Sequence, residues 1–417
     1  MRVVHINKLL DGGAAWCAIR ISNALQRKGL ESSMIVMDNK TGNIIDSNIT
    51  IAEKDLIYRT SHNFLLRMIM KIIKILVRPN FEYYKYKRIE AEKYANMFFT
   101  SPLTEYKSLV KHPLVKNADI IHLHWVSDFV DFPSFFKDID KPVVWTIHDE
   151  NPGLGGFHYS IQKKNASKEY LNLDKKYEEI KRKAINGRNR PYLVAISETM
   201  RTFFKNNKIL GECPVTLIHN GVDGESFVKK DRILSRKKLL LPLDKKIFLF
   251  SSYNIDDPRK GLSLLLDALS YFHDDSFLLV CLGKCDDIPS TGVNIRCEGL
   301  ITGNEMLSMY YSAADFFILS SFQEAFAQTP LESMSCGTPV IAFPCSGVPE
   351  LINEQNGIIC DDFTVEALIK GIKEALGKTY NGDDIRKYVL SHFSYDIIAQ
   401  QYIQLYNKVL TDKKTKK

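Results

Sequence analysis

Residues 316–342 read FFILSSFQEAFAQTPLESMSCGTPVIA. Four apolar residues, Phe316 to Leu319, have the length and composition of a buried strand. The polar stretch after them carries one acid, Glu324. Thr329, Pro330 and Glu332 then fit the N-cap, N1 and N3 positions of a helix. That is a capping box with proline in the first turn, where its missing N–H costs least. Gly337 stops the helix, and Val340 to Ala342 reads as the next strand. Strand, loop, helix and strand in this order make a parallel β-α-β unit, whose ligands bind beyond the carboxyl ends of the strands. The helix start offers free N–H groups and a positive dipole end, which suit a diphosphate. The two acids, eight positions apart, suit the hydroxyl groups of a sugar; Glu332 is also placed to cap its own helix.

The same pattern extends in both directions. In the first half, short apolar runs at Arg2–Asn7, Ser33–Met37, Ile120–His124, Val143–Ile147, Tyr192–Ile196 and Val215–Ile218 predict strands. A helix is expected over Ala14–Lys28, stopped by Gly29. In the second half the expected strands are Ile247–Phe250, Phe277–Leu282, Phe316–Leu319, Val340–Ala342 and Ile358–Ile359, with helices between them. Apolar strands separated by helical stretches imply parallel sheets covered on both faces. The expectation is therefore α/β: two doubly wound, Rossmann-like parallel-sheet domains facing a cleft. The Lys- and Arg-rich stretch from Asp223 to Lys246 reads as the hinge.

A chain of 417 residues is too long for one ordinary core, which agrees with two domains. No signal-peptide pattern precedes the first strand, and no apolar run reaches the roughly 18 residues of a membrane span; the expected location is cytoplasmic. Eight scattered cysteines form no C-x-x-C pair and read as buried reduced thiols. The net charge of +7 comes without any base-stacking or groove-reading motif, so nucleic acid is not an expected partner. One segment points elsewhere. Residues 64–77 read FLLRMIMKIIKILV, with Arg67, Lys71 and Lys74 on one helical face and more basic residues up to Arg88. Residues 64–88 fit either a helix lying in the inner membrane face or a buried helix with one wet edge. The lysine-rich end, from Lys413 on, reads as a frayed tail.

Further candidates sit where strands end. Asn254-Ile255-Asp256-Asp257-Pro258-Arg259-Lys260-Gly261 follows a strand, and Arg259 and Lys260 precede a helix; two cations there suit a diphosphate leaving group held without metal. Gly12 and Gly13 join the first strand to the first helix and let backbone approach a ligand, although G-x-G-x-x-G is absent. His122, His124 and His148 lie at or just past the carboxyl ends of their strands. Asn151 to Tyr159, with three glycines, His158 and Tyr159, reads as a flexible stretch suited to closing over an acceptor. Asp138-Ile139-Asp140 has the D-x-D form of a metal site but stands at the amino end of its strand, the wrong side of the sheet.

Together these residues resemble the retaining nucleotide-sugar glycosyltransferases of family 4, with the two-domain GT-B fold. The likeness rests on Glu324 and Glu332 with Cys336-Gly337-Thr338-Pro339-Val340-Ile341-Ala342. It is supported by Gly12-Gly13, His122-Leu123-His124-Trp125, His148-Asp149, Ile218-His219-Asn220-Gly221-Val222-Asp223, Arg259-Lys260-Gly261 and Ala313-Ala314-Asp315. The resemblance implies an acceptor-side domain over 1–225, a donor-side domain over 226–392, and a helix over 393–417 that crosses back to the first domain. It implies that Glu332 holds the ribose hydroxyls and Glu324 the donor sugar, while Arg259 and Lys260 neutralise the diphosphate. Backbone at Phe326, Ala327, Gln328 and Thr329 assists, Gly13 approaches the donor phosphate or the acceptor, and His148 stands at the reacting centre, near the donor sugar. Gly12, His122, His124, His158 and Tyr159 fall on the acceptor side. The implied reaction retains anomeric configuration and needs no metal or other cofactor. The implied acceptor is a glycan or lipid-linked glycan of a bacterial surface polysaccharide or lipopolysaccharide. A sugar-nucleotide epimerase of the same fold and a non-catalytic sugar-nucleotide-binding protein are the alternatives. The chain departs from the family at Ala327, where glycine is common.

Overall fold

The computed structural model describes residues 1–37, 47–54, 98–187, 190–272, 275–284 and 292–415. The basic apolar segment 64–88 lies outside them. The chain forms two compact units, Met1–Ile218 with Ala399–Lys417, and His219–Ile398.

The first unit is built on seven parallel strands: β1 (Arg2–Asn7), β2 (Glu31–Val36), β3 (Ile49–Ile51), β4 (Ile120–Leu123), β5 (Val143–Ile147), β6 (Tyr192–Ala195) and β7 (Val215–Leu217). Their order is β3-β2-β1-β4-β5-β6-β7. The chain starts in the middle, winds outward through β2 and β3, then returns to β4 beside β1. The order reverses between β1 and β4, which makes their carboxyl ends the expected ligand crevice. β4 and β5 are buried along their whole length, which is why they read as unbroken apolar runs. Helix α1 (Gly13–Arg27) buries Ala15, Ala18, Ile21 and Leu25, a face at helical spacing. Gly29 follows it with φ +82°, the left-handed stop that glycine adopts most easily. Among the described residues the next helices are α2 (Pro113–Asn117), α3 (Phe132–Asp138), α4 (Lys168–Ile185) and α5 (Glu198–Lys205).

The second unit repeats the plan with six parallel strands: β8 (Lys246–Asn254), β9 (Phe277–Lys284), β10 (Ile295–Cys297), β11 (Phe316–Leu319), β12 (Val340–Ala342) and β13 (Gly357–Ile359). Their order is β10-β9-β8-β11-β12-β13, and the reversal lies between β8 and β11. Helices α6 (Arg232–Lys238), α7 (Leu262–Ser270), α8 (Asn304–Ala313), α9 (Gln328–Ser335), α10 (Val365–Leu376) and α11 (Gly382–Phe393) belong to this unit. Phe248, Leu265, Leu279, Ile318, Ile341 and Leu368 meet in one apolar cluster. The last helix, α12 (Tyr395–Thr415), belongs to the first unit from Ala399 onward.

Several expectations change. The polar stretch Asp223–Lys246 is not a bare hinge. It carries α6, and Arg236 from that helix is buried against Asp315 at 2.7 Å. Asp315 also accepts from the backbone N–H of Ile247 at 2.8 Å, so the acid of Ala313-Ala314-Asp315 joins a helix to a strand. The lysine-rich end is helical to Thr415. Cys297 is exposed, while the six other described cysteines are buried.

Candidate active site

In the second unit, the loop after β8 and the loop after β11 are stitched together at the sheet's reversal point. The Ser320 hydroxyl donates to the carbonyl of Lys260 at 3.0 Å. The Phe322 N–H donates to the carbonyl of Arg259 at 2.8 Å. Between the two contacts, Gly261 has φ +69°, and a Cβ there would stand 2.0 Å from the Ser320 carbonyl oxygen. Glycine alone lets the loops approach this closely. Gly261→Ala is expected to cost about 2–4 kcal/mol, from left-handed strain plus overpacking. Denaturant unfolding of the second unit checks this, and a wild-type midpoint would contradict the close approach.

This seam sets the charges. Lys260 Nζ donates to Glu324 Oε1 at 2.6 Å, with both side chains part-buried. Arg259 folds back on Asp257, its guanidinium 2.6 Å from the carboxylate, which also caps the Pro258–Lys260 turn. Burial alone would raise the Asp257 carboxyl, but the Arg259 contacts outweigh it and hold the group below its ordinary range. Both cations therefore carry a carboxylate partner in this state.

The helix behind the loop starts differently from the capping box read in the sequence. α9 runs from Gln328, its N-cap is Ala327, and no side chain caps it. Thr329 and Pro330 fall inside the helix, and Glu332 is too deep in it to reach back to the start. Instead Glu332 is buried and accepts from the Tyr311 hydroxyl of α8 at 3.1 Å. Burial, followed by the Glu332 charge, pushes the Tyr311 hydroxyl well above its ordinary range. Phe326 and Ala327 are buried at the turn, Thr329 is half-buried, and the Gln328 amide is enclosed without a partner. The uncapped first turn keeps its N–H groups for an anion. Thus Lys260, Glu324, Phe326, Ala327, Gln328, Thr329 and Glu332 all lie in or beside the β11–α9 connection, with Arg259 on the adjoining loop.

In the first unit, β1 runs into Gly12 and Gly13, which open α1. Gly12 has φ +91°, both residues are exposed, and a Cβ at either would meet nothing within 4 Å. The N-terminus of α1 likewise has no side-chain cap. Beside it, at the β1–β4 reversal, the histidines form a buried group. His5 of β1 pairs in register with His122 of β4, and His124 lies two residues further along the same face. His5 Nδ1 is 2.8 Å from His124 Nε2, and His124 Nδ1 is 3.3 Å from His148 Nε2. His122 bonds to Thr146 Oγ1 at 2.7 Å and to the Tyr406 hydroxyl at 2.7 Å. Thr146 also meets the Tyr402 hydroxyl at 2.7 Å. The last helix thus closes the network.

Burial pushes these imidazoles down, His5 to about 3 and His148 to about 4, with His122 and His124 well below their ordinary value. His5, His122 and His124 also form the one cluster among the described residues that could gather round a metal ion. Hydrogen bonds already engage every ring nitrogen of the three except His5 Nε2, so a metal there would have to break them.

Three acceptor-side assignments change with this geometry. His122 and His124 are fully buried with both ring nitrogens bonded to protein groups. His158 is fully buried too, held by Asp149 at 2.6 Å and Thr100 at 3.0 Å. None presents a free polar atom to an acceptor. Nor is Asn151 to Tyr159 a flexible stretch. Asn151 donates to the carbonyls of Gly156 and Phe157, and buried Lys181 donates to those of Asn151 and Leu154. Gly155 and Gly156 are packed so closely on Asp174 and Phe99 that a Cβ would overlap them. The glycines serve packing, not mobility. Tyr159 remains half-buried at the end of the stretch. Asp149, the acid after His148, accepts from Trp125 Nε1, His158 Nδ1 and the Asn151 N–H at 2.9, 2.6 and 3.0 Å. Burial raises its carboxyl, but these partners outweigh burial and hold it below its ordinary value. Sequence reasoning missed His5, Tyr402 and Tyr406 as members of the network. A histidine inside the otherwise apolar Val3-Val4-His5-Ile6 was the available signal.

Two parallel-sheet units, each with its motif residues gathered at the reversal point of the strand order, define a GT-B architecture. The Glycosyltransferase Family 4 pattern matches residues 11–226, more than half of the chain, and the Glycosyl transferases group 1 pattern matches residues 231–389; the chain belongs to the glycosyltransferases that join these domains. It is 25% identical over 314 residues to an uncharacterised glycosyltransferase of Methanocaldococcus jannaschii, covering 70% of this chain and 76% of that one. It is 24% identical over 213 residues to D-inositol 3-phosphate glycosyltransferase of Mycobacteroides abscessus, covering about half of each, 48% and 47%. Among solved structures it resembles Anabaena HepE in complex with UDP and glucose, with a TM-score of 0.64 and 16% identity over 98% of this chain and 99% of that one.

Proposed function

We propose that this glycosyltransferase moves a sugar from a nucleoside-diphosphate donor to a glycan or lipid-linked glycan acceptor, with retention of anomeric configuration and without a metal. The observation that carries the reading is the Lys260–Glu324 pair at 2.6 Å beside an uncapped helix start. One cation and a set of free N–H groups suit the diphosphate, and one carboxylate suits the donor hydroxyls. Glu332, held by Tyr311, has acceptor capacity for ribose hydroxyls. Within the first unit, His148, Gly12 and Gly13 are the candidates to meet a substrate. The complex of HepE with UDP and glucose supports a nucleotide sugar as donor. The basic, apolar sequence of residues 64–88 supports a lipid-linked acceptor at a membrane face and a role in surface-polysaccharide assembly.

The test is incubation with a panel of nucleotide sugars, with and without oligosaccharide and lipid-linked acceptors, in buffer containing a chelator. The expected result is acceptor-dependent release of nucleoside diphosphate, with a product whose anomeric proton coupling matches the donor's. Binding without turnover on every acceptor would favour the non-catalytic alternative. An inverted product, or turnover abolished by chelator, would overturn the reaction as stated.

A further inference from the structure

The bonds from His5 to His124 to His148 form a directional wire. A neutral imidazole has one N–H and one lone pair. His124 uses both nitrogens inside the wire, so its neighbours are constrained. Only two neutral arrangements satisfy both bonds. In one, His5 Nδ1–H donates to His124 Nε2, His124 Nδ1–H donates to His148 Nε2, and His148 carries its proton on Nδ1. In the other every proton is reversed, and His148 Nδ1 is a bare lone pair.

The far end decides between them. His5 Nε2 is buried and has no partner, and His5 is fully enclosed between its neighbours. The first arrangement leaves an unpaired lone pair there. The second leaves an unpaired buried N–H, the rarer orphan in folded proteins. We propose that His5 and His124 are positioning residues that hold His148 as its Nδ1–H tautomer, so that the ring offers a substrate a hydrogen-bond donor and not a base. No group among the described residues pairs with His148 Nδ1, which leaves that N–H for a ligand. The ring stacks with His124 at 5.5 Å between centroids, and His124 with His5 at 5.1 Å, so the wire also fixes the ring plane. This rests on the proposed activity only in giving His148 a substrate to meet; the protonation pattern does not depend on it.

The test uses the full-length protein labelled with 15N at its histidine rings, read by long-range proton–nitrogen correlation at pH 7.5. His148 signals are assigned by their absence in His148→Asn. The expected wild-type spectrum shows His148 protonated on Nδ1 and bare on Nε2, against the preference of free imidazole. His5→Phe, which keeps a ring but removes the first link, is expected to return His148 to a mixture of tautomers. It should lower kcat about 10²-fold with a smaller change in KM, as for a lost positioned donor. His148 protonated on Nε2 in the wild type would overturn the proposal whether or not any variant folds. Stoichiometric metal in the purified protein would also overturn it, since a metal takes the lone pairs that the wire uses. A wild-type tautomer as expected, with no transfer to any acceptor, would count against the activity and not against the wire.

Discussion

Lys260→Ala is expected to reduce kcat/KM for sugar transfer by about 10²–10³-fold, the usual loss when one preorganised group facing a developing charge is removed. In the proposed reaction the donor's dianionic diphosphate gains a further negative charge as it leaves, and Lys260 and Arg259 are the cations of the loop against the β11–α9 connection. Arg259 is paired with Asp257 and Lys260 with Glu324, each at 2.6 Å, and Lys260 is the less exposed of the two cations. Its amine is oriented by Glu324, and its backbone is pinned by the Ser320 hydroxyl. Glu324→Gln should lose a comparable factor, because it removes the orienting charge as well as a grip on hydroxyl groups. The two losses should not add, since the residues act as one unit. Stability should change little: the pair is partly exposed, and such pairs contribute about 0–1 kcal/mol. Steady-state kinetics of the two single variants and the double variant, with thermal melting as a control, make the check. Activity within about threefold of wild type in Lys260→Ala, with the fold intact, would remove the pair from the mechanism.

The first unit is expected to lose stability in mild acid well before the second. His5, His122 and His124 are fully buried and stay neutral because burial holds their folded-state values far below the ordinary 6.5. As pH falls through 6.5 the unfolded chain binds protons that the folded unit refuses, so each proton favours unfolding. Stability from this source is complete above pH 6.5 and is lost progressively down toward the folded value of about 3 for His5. At pH 5 the loss is about 2 kcal/mol for His5 alone, against a typical domain stability of about 5–15 kcal/mol, and His122, His124 and His148 add losses of the same sign. Asp149, held below its ordinary value, adds a loss of the same sign at lower pH. Tyr402, Tyr406 and Thr146 face the histidines but carry no charge in this range. The readout is direct, because Trp16, Trp125 and Trp145 all lie in the first unit. Denaturant unfolding followed by tryptophan fluorescence should show a midpoint that falls between pH 7.5 and pH 5. His122→Phe should flatten that dependence. A midpoint independent of pH would mean that the cluster is hydrated and not dry.

The sequence by itself determined the parallel α/β plan but not the edge strands β3 and β10, each only three residues long. Buried parallel strands are contiguous apolar runs, and runs such as Phe316–Leu319 and Val143–Ile147 marked the strands without reference to anything distant. The acids, the Arg259-Lys260-Gly261 loop and Gly12-Gly13 were likewise legible, because residues at strand ends fall beside one another in a doubly wound sheet whatever the details. Tertiary structure decided the roles. Whether Glu332 caps its helix or bonds Tyr311 depends on where α8 packs, 21 residues earlier in the chain. Whether the glycines near His158 loosen or tighten their segment depends on Phe99, Asp174 and Lys181. The histidine wire joins His5 to His124 across 119 positions, a pairing set by strand order. Spacing rules describe neighbours along the chain; the partners of a buried polar atom are chosen by the fold, which brings distant atoms together and removes the water that would otherwise satisfy them.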